Sequence, residues 1–184
     1  MEVDPTMPVI QNMLLLDSEG KRIAVKYFDQ QWATIAQQSN FEKSVFSKTS
    51  RTNARGEAEV TMFDEVVVCY KFIGDLMFYV TGSQDENELI LHTVLVAFYE
   101  SVTLLLRSAV EKKTVLENLD LVLLAMDEII DKGLILETDP ATIASRVSMR
   151  GADSDIPLTD RVTEVNIQSF LATAKEQLAR SLLK

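Results

Sequence analysis

The stretch that decides the fold is Val66-Val67-Val68-Cys69-Tyr70-Lys71-Phe72-Ile73, then Gly74-Asp75, then Leu76-Met77-Phe78-Tyr79-Val80-Thr81-Gly82. Two runs of β-branched and aromatic residues around a two-residue Gly-Asp loop predict an antiparallel hairpin. A loop that short fixes the register, with Tyr70 opposite Tyr79 and Cys69 opposite Val80. Side chains alternate between the two faces of a strand. One face then carries Val66, Val68, Tyr70, Phe72, Met77 and Tyr79. The other carries Val67, Cys69, Ile73, Leu76, Phe78 and Val80. Both faces are apolar, so other layers must cover both.

Downstream, Ser83-x-x-Glu86 has the form of a helix start, and residues 89–106 hold one formal charge, Glu100. A helix is expected over 85–107. Its length approaches that of a membrane span. However, His92, Tyr99, Glu100, Thr103 and Arg107 fall on one narrow stripe, the pattern of a helix buried between layers of a domain. Upstream, residues 9–16 are apolar on both faces, as in a central strand. Asp17-Ser18-Glu19-Gly20 reads as a turn. A second strand is expected over 23–28, with Ile23, Val25 and Tyr27 on one side and Lys26 on the other. Ser39-x-x-Glu42 predicts a capping box and a helix from about Asn40 to Lys48. Residues 49–56 form a polar loop with Arg51 and Arg55. A strand over 58–63 and a turn at Asp64-Glu65 complete a meander.

Towards the C-terminus, Thr114-x-x-Glu117 predicts a helix to about Lys132, stopped by Gly133. Its expected core face is Val115, Leu119, Val122, Leu123, Met126, Ile129 and Ile130. Asp139-Pro140 restarts a short helix, with aspartate as cap and proline at the first helical position. Residues 151–159 read as a linker. A last helix from about Thr163 carries Ile167, Phe170, Leu171, Ala174 and Leu178 on one side. The expected organisation is one domain over 1–149, then a linker and amphipathic helix over 150–184.

With 184 residues the chain suits one ordinary domain that needs no disulfide or metal staple. A net charge of −10 argues against general attraction to nucleic acid or anionic lipid. The acidic start, Met1-Glu2-Val3-Asp4-Pro5, lacks the basic and apolar regions of a signal peptide, and the expectation is a cytosolic protein.

Residues suited to chemistry are few. There is one histidine, His92, and one cysteine, Cys69, which is expected in a strand interior as an inert core thiol. Six glycines form no Walker or dinucleotide pattern. Asp120, Asp127, Glu128 and Asp131 gather on one predicted helix, but they read as a solvated acidic face. Lys48, Arg51 and Arg55 could touch phosphate or lipid headgroups, but three basic residues in a flexible loop more often do nothing specific. No catalytic, cofactor-binding or metal-binding residue is expected. The terminal side chains Phe170, Leu171, Ala174 and Leu178 are the expected partner-binding residues.

The order hairpin, helix, three-strand meander and two long helices is similar to that of the longin-like small subunits of vesicle coats. Asn118-Leu119-Asp120-Leu121-Val122, with Met126-Asp127-Glu128-Ile129-Ile130-Asp131-x-Gly133-x-Ile135-x-Glu137-Thr138, resembles the signature of the small chains of clathrin adaptors and coatomer. Phe41-Glu42-Lys43, Gly82-Ser83, Glu86-Asn87-Glu88-Leu89, Leu116-Glu117-Asn118 and Ala174-Lys175-Glu176-Gln177 resemble the coatomer zeta group within it. The resemblance implies an α+β, longin-like (profilin-like) α-β-α sandwich, a five-stranded antiparallel sheet with helices on both faces. It also implies a non-catalytic subunit of the heptameric coatomer, which buds vesicles from Golgi membranes, mainly for retrieval to the endoplasmic reticulum. The direct partner in that family is the trunk of the gamma subunit; an Arf-family GTPase and the Golgi membrane are reached through the coat. Clathrin-adaptor small chains help bind acidic dileucine signals, and no residue here carries that pocket over. Two other classes fit less well. A fusion-protein longin domain would be followed by a long heptad segment, and a small α/β enzyme would need a polar cleft with perturbed titratable groups.

Overall fold

A computed structural model describes residues 8–152. Its centre is a five-stranded antiparallel sheet in the order β2-β1-β5-β4-β3. The strands are β1 (Ile10–Asp17), β2 (Arg22–Tyr27), β3 (Glu59–Phe63), β4 (Val66–Ile73) and β5 (Leu76–Ser83). The fold is the expected α+β sandwich. The β4–β5 hairpin has the anticipated register, Tyr70 opposite Tyr79 and Cys69 opposite Val80, turning through Gly74 at φ +60°. Central β1 is buried almost throughout, as its two-sided apolar sequence requires.

The two faces seed two separate cores. Leu14, Leu16, Val66, Val68, Tyr70, Phe72, Met77 and Tyr79 pack with Trp32, Phe41 and Val45 beneath α1 (Ile35–Thr49). The opposite face packs against α2 (Glu88–Leu105), α4 (Leu119–Ile129) and α5 (Pro140–Ala152), with Phe78 edge-on to Phe98 at 5.1 Å. By length and composition α2 is apolar enough to cross a membrane, but Leu91, Val94, Leu95, Phe98 and Val102 are buried against the sheet. A short helix α3 (Lys112–Glu117) precedes α4.

Several local expectations are overturned. Helix α1 begins five residues before Asn40, with Thr34 as cap in a reciprocal box with Gln37. Ser39 lies inside the helix, and Glu42 turns inward instead: its carboxylate accepts from Arg22 Nη2 at 2.6 Å and Tyr27 OH at 2.9 Å. Ser83 ends β5, and α2 starts later, capped by Asn87, whose side chain accepts from Leu89 N–H. Glu86 accepts from the N–H of Val9, across 77 residues of sequence. The long helix expected from Thr114 to Lys132 breaks at Asn118, whose side chain donates to the Thr114 carbonyl and leaves helical geometry.

Gly133 stops no helix. With Lys132 at φ +49° and Gly133 at φ +86° it turns a two-residue hairpin between β6 (Ile130–Asp131) and β7 (Leu134–Ile135). A Cβ at Gly133 would lie 3.0 Å from the Ile10 carbonyl oxygen, so both space and dihedral require glycine there. On α4 the buried side is Val122, Ala125, Met126 and Ile129; Leu119 is half-buried and Leu123 is exposed. In β2 a bulge opposite Leu15 and Leu16 sends Ile23 to the α2 side, whereas Val25 and Tyr27 face α1. The aspartate–proline start of α5 is as expected: Asp139 Oδ2 accepts from the N–H of Thr142 at 2.8 Å.

Candidate partner-binding surface

Cys69 sits mid-strand in β4, fully buried. Burial, aided by the Glu88 charge, pushes its thiol up to about 12, so it is protonated and unreactive at neutral pH. His92 is exposed on α2 rather than at the core edge. The four carboxylates of the α4 region do not make one solvated face. Asp127 pairs with Lys26, and Glu128 is buried with Arg146 Nη1 at 3.7 Å. Among the described residues no group of three or more histidine, cysteine, aspartate or glutamate side chains is placed to hold a metal ion.

Two of the three basic residues expected near this loop, Lys48 and Arg55, are engaged with backbone. Lys48 Nζ donates to the Met62 carbonyl at 2.7 Å, and Arg55 Nη1 donates to the Gly74 carbonyl at 2.8 Å. Arg55, Lys71, Ile73, Gly74, Tyr99 and Val110 border a shallow depression beside the β4–β5 turn. The Lys71 ammonium stands over the Tyr99 ring there, 5.6 Å from its centre.

Among the described residues an apolar opening lies along β3. In register, Val60 is opposite Cys69 and Met62 opposite Val67, so both project to the α2 side of the sheet. Yet α2 approaches β4 and β5, one and two strands further in. Val60 and Met62 therefore stay 40% and 51% exposed. The other face of β3 is closed: Glu59 accepts from Tyr70 OH at 2.9 Å, and Phe63 packs edge-on to Phe41. Among the described residues the result is a shelf with a finished underside, an uncovered upper face and α2 as its wall. The strand was legible in the sequence. Its bare face was not, because that depends on where α2 lies. The expected partner residues Phe170, Leu171, Ala174 and Leu178 lie outside the described residues.

The sequence model of the clathrin adaptor complex small chain family matches residues 9–154. The chain belongs to that family, whose members are small structural chains of vesicle-coat complexes. Among curated proteins it is 54% identical over 176 residues to coatomer subunit zeta-2 of Arabidopsis thaliana, covering 96% of both chains. It is 41% identical over 182 residues to coatomer subunit zeta-1 of Homo sapiens, covering 99% of this chain and 97% of that one. A chain in a homology model of the full-length AP-3 complex in a stretched open conformation shares the fold, with TM-score 0.61 and 19% identity over 79% of this chain. Within the family, the relatives place the chain in the coatomer zeta group.

Proposed function

We propose that the chain is the zeta-type small subunit of a coatomer coat and works by binding. It clasps the trunk of the gamma subunit and so joins the heptameric coat. In that setting it serves retrograde Golgi-to-endoplasmic-reticulum and intra-Golgi vesicle transport on the cytosolic face of the Golgi. The Arf-family GTPase and the membrane are reached through other chains of the coat. The observation that carries the reading is 54% identity along 96% of both chains, since an interface spread over a fold survives only if the whole fold is kept. Cys69 and His92, the two side chains best suited to chemistry, do not argue for an enzyme: one is buried in a core and the other stands on an outer helix face.

In the same reading residues 1–149 form the small-subunit domain and 150–184 a linker and amphipathic segment, with Phe170, Leu171, Ala174 and Leu178 facing a partner. The test is affinity capture of the tagged chain from cytosol at endogenous level, followed by quantitative mass spectrometry. Coatomer chains in fixed, near-equal ratio are expected. Recovery of a clathrin-adaptor set would move the chain to the other branch of the family, and recovery of no coat chain would overturn the reading.

A further inference from the structure

The shelf on β3 has a charge pattern as well as an apolar surface. At its Met62 end, two acidic segments come together: the Asp64-Glu65 turn and the Asp85-Glu86-x-Glu88 approach to α2. The N–H of Gln84 donates to the Glu65 carbonyl at 3.0 Å and holds them side by side. Asp64, Glu65, Asp85 and Glu88 are exposed, and none has an ion-pair partner among the described residues. Carboxylates gathered at one end without counter-ions make the local field negative beside an apolar surface. On a chain of net charge −10 this local excess of carboxylates matches a cationic visitor.

The edge of β3 argues for the manner of docking. An added strand would need the outward backbone groups of β3, but the Lys48 ammonium already occupies the Met62 carbonyl. A lysine from a neighbouring helix held against an edge strand discourages strand addition. The free face, by contrast, offers Val60 and Met62 to a segment lying alongside α2. A helix with an apolar stripe satisfies that geometry.

We propose that this shelf seats an amphipathic helix of the large coat chain, with its apolar stripe on Val60 and Met62 and basic side chains at the end that meets Asp64, Glu65, Asp85 and Glu88. The proposal rests on the coat reading above and assigns it a face. Apolar contact at the centre of the shelf supplies affinity, and the carboxylates set orientation and association rate.

The experiment is calorimetric titration of the full chain with purified gamma trunk at about 50 and 300 mM salt, which brackets the range where screening becomes strong. Three variants are compared: Val60→Ser with Met62→Ser; Asp64→Asn, Glu65→Gln, Asp85→Asn and Glu88→Gln together; and Leu116→Ser as an exposed control elsewhere. The expected result is at least tenfold weaker binding for the first variant. The charge variant should lose at least tenfold at low salt and most of its salt dependence, with the control within twofold of the parent. The charge variant alters only exposed side chains, so it decides the question if the β3 variant does not fold. Parent binding with the charge variant and any folded β3 variant within twofold of it would overturn the shelf while leaving the coat reading in place. No binding by the parent would overturn both.

Discussion

Lys112 Nζ lies 2.7 Å from Asp17 Oδ2, although 95 residues separate the two in sequence. The same carboxylate accepts the N–H groups of Glu19 and Lys21 and so closes the first hairpin. The N–H of Lys112 in turn donates to Asp75 Oδ1 in the turn of the β4–β5 hairpin. Since Asp17 also pairs with Leu76 in the sheet, the start of α3 ties together two turns at one end of the molecule. These links join elements that hydrophobic layering alone would leave free to slide.

Asp17 gives the fold an acid-sensitive contact. Burial would raise its carboxyl, but hydrogen bonds from Lys112, Lys21 and Glu19 outweigh it and hold the group below its ordinary value. For a depressed carboxyl the stabilisation is full above the unfolded value of about 3.9 and is lost as pH falls through the folded one. Asp17→Asn should cost about 1–2 kcal/mol at neutral pH, on the usual scale of lost charged hydrogen bonds. Urea unfolding at pH 7, 4 and 3 checks this: the gap between parent and variant should close on the acid side, and a gap that widened would refute the assignment.

Glu42 is the second buried carboxylate in a network, between Arg22 and Tyr27. Burial and this carboxylate hold the Tyr27 hydroxyl in its protonated, donating form. Removing Glu42 takes from Tyr27 OH its shorter acceptor and from Arg22 its carboxylate, leaving both with Gln38 alone. Glu42→Ala should destabilise by about 1–3 kcal/mol, and Glu42→Gln, which keeps an acceptor, by less. Thermal unfolding of the two variants reads the order; equal melting temperatures would show that the network contributes nothing.

The rotation of α4 is testable by three truncations. Met126 is fully buried, Leu119 half-buried and Leu123 exposed. Met126→Ala should cost about 2–5 kcal/mol, as expected for deleting most of a core side chain. Leu123→Ala should cost about 0.5 kcal/mol or less, with Leu119→Ala between them. A reversed order of Met126 and Leu123 in denaturant midpoints would mean the helix is turned by roughly one residue, about 100°.

Cys69 should be silent to thiol reagents in the folded chain, because it is buried and protonated. Labelling by a neutral disulfide reagent should appear only with denaturant, at the rate of unfolding. Rapid labelling at neutral pH without denaturant would show β4 opening locally.

What could be read from the sequence was whatever is fixed locally. A two-residue Gly-Asp loop left the β4–β5 register a single solution, and the two-sided apolar pattern then called for helices on both faces. The three Ser/Thr-x-x-Glu patterns were misleading because the acids found other partners. Glu42 reached Arg22 and Tyr27, Glu86 reached the backbone of Val9, and Glu117 lies 4.0 Å from Lys113 within α3. The true box at the start of α1 uses Thr34 and Gln37. The break at Asn118 depends on one side chain bending back onto its own helix, and the Lys132-Gly133 turn resembled a helix stop because both use positive φ. The shelf was invisible for a different reason: whether Val60 and Met62 are covered depends on the tertiary path of α2, not on their own pattern.

The measurement that bears most directly on the central claim is light scattering on a sizing column after coexpression with the gamma trunk. A stable one-to-one complex should elute as a single particle, and the small chain should melt at a higher temperature within it than alone, by mass action. Elution as two separate species, with an unchanged melting temperature, would contradict the account.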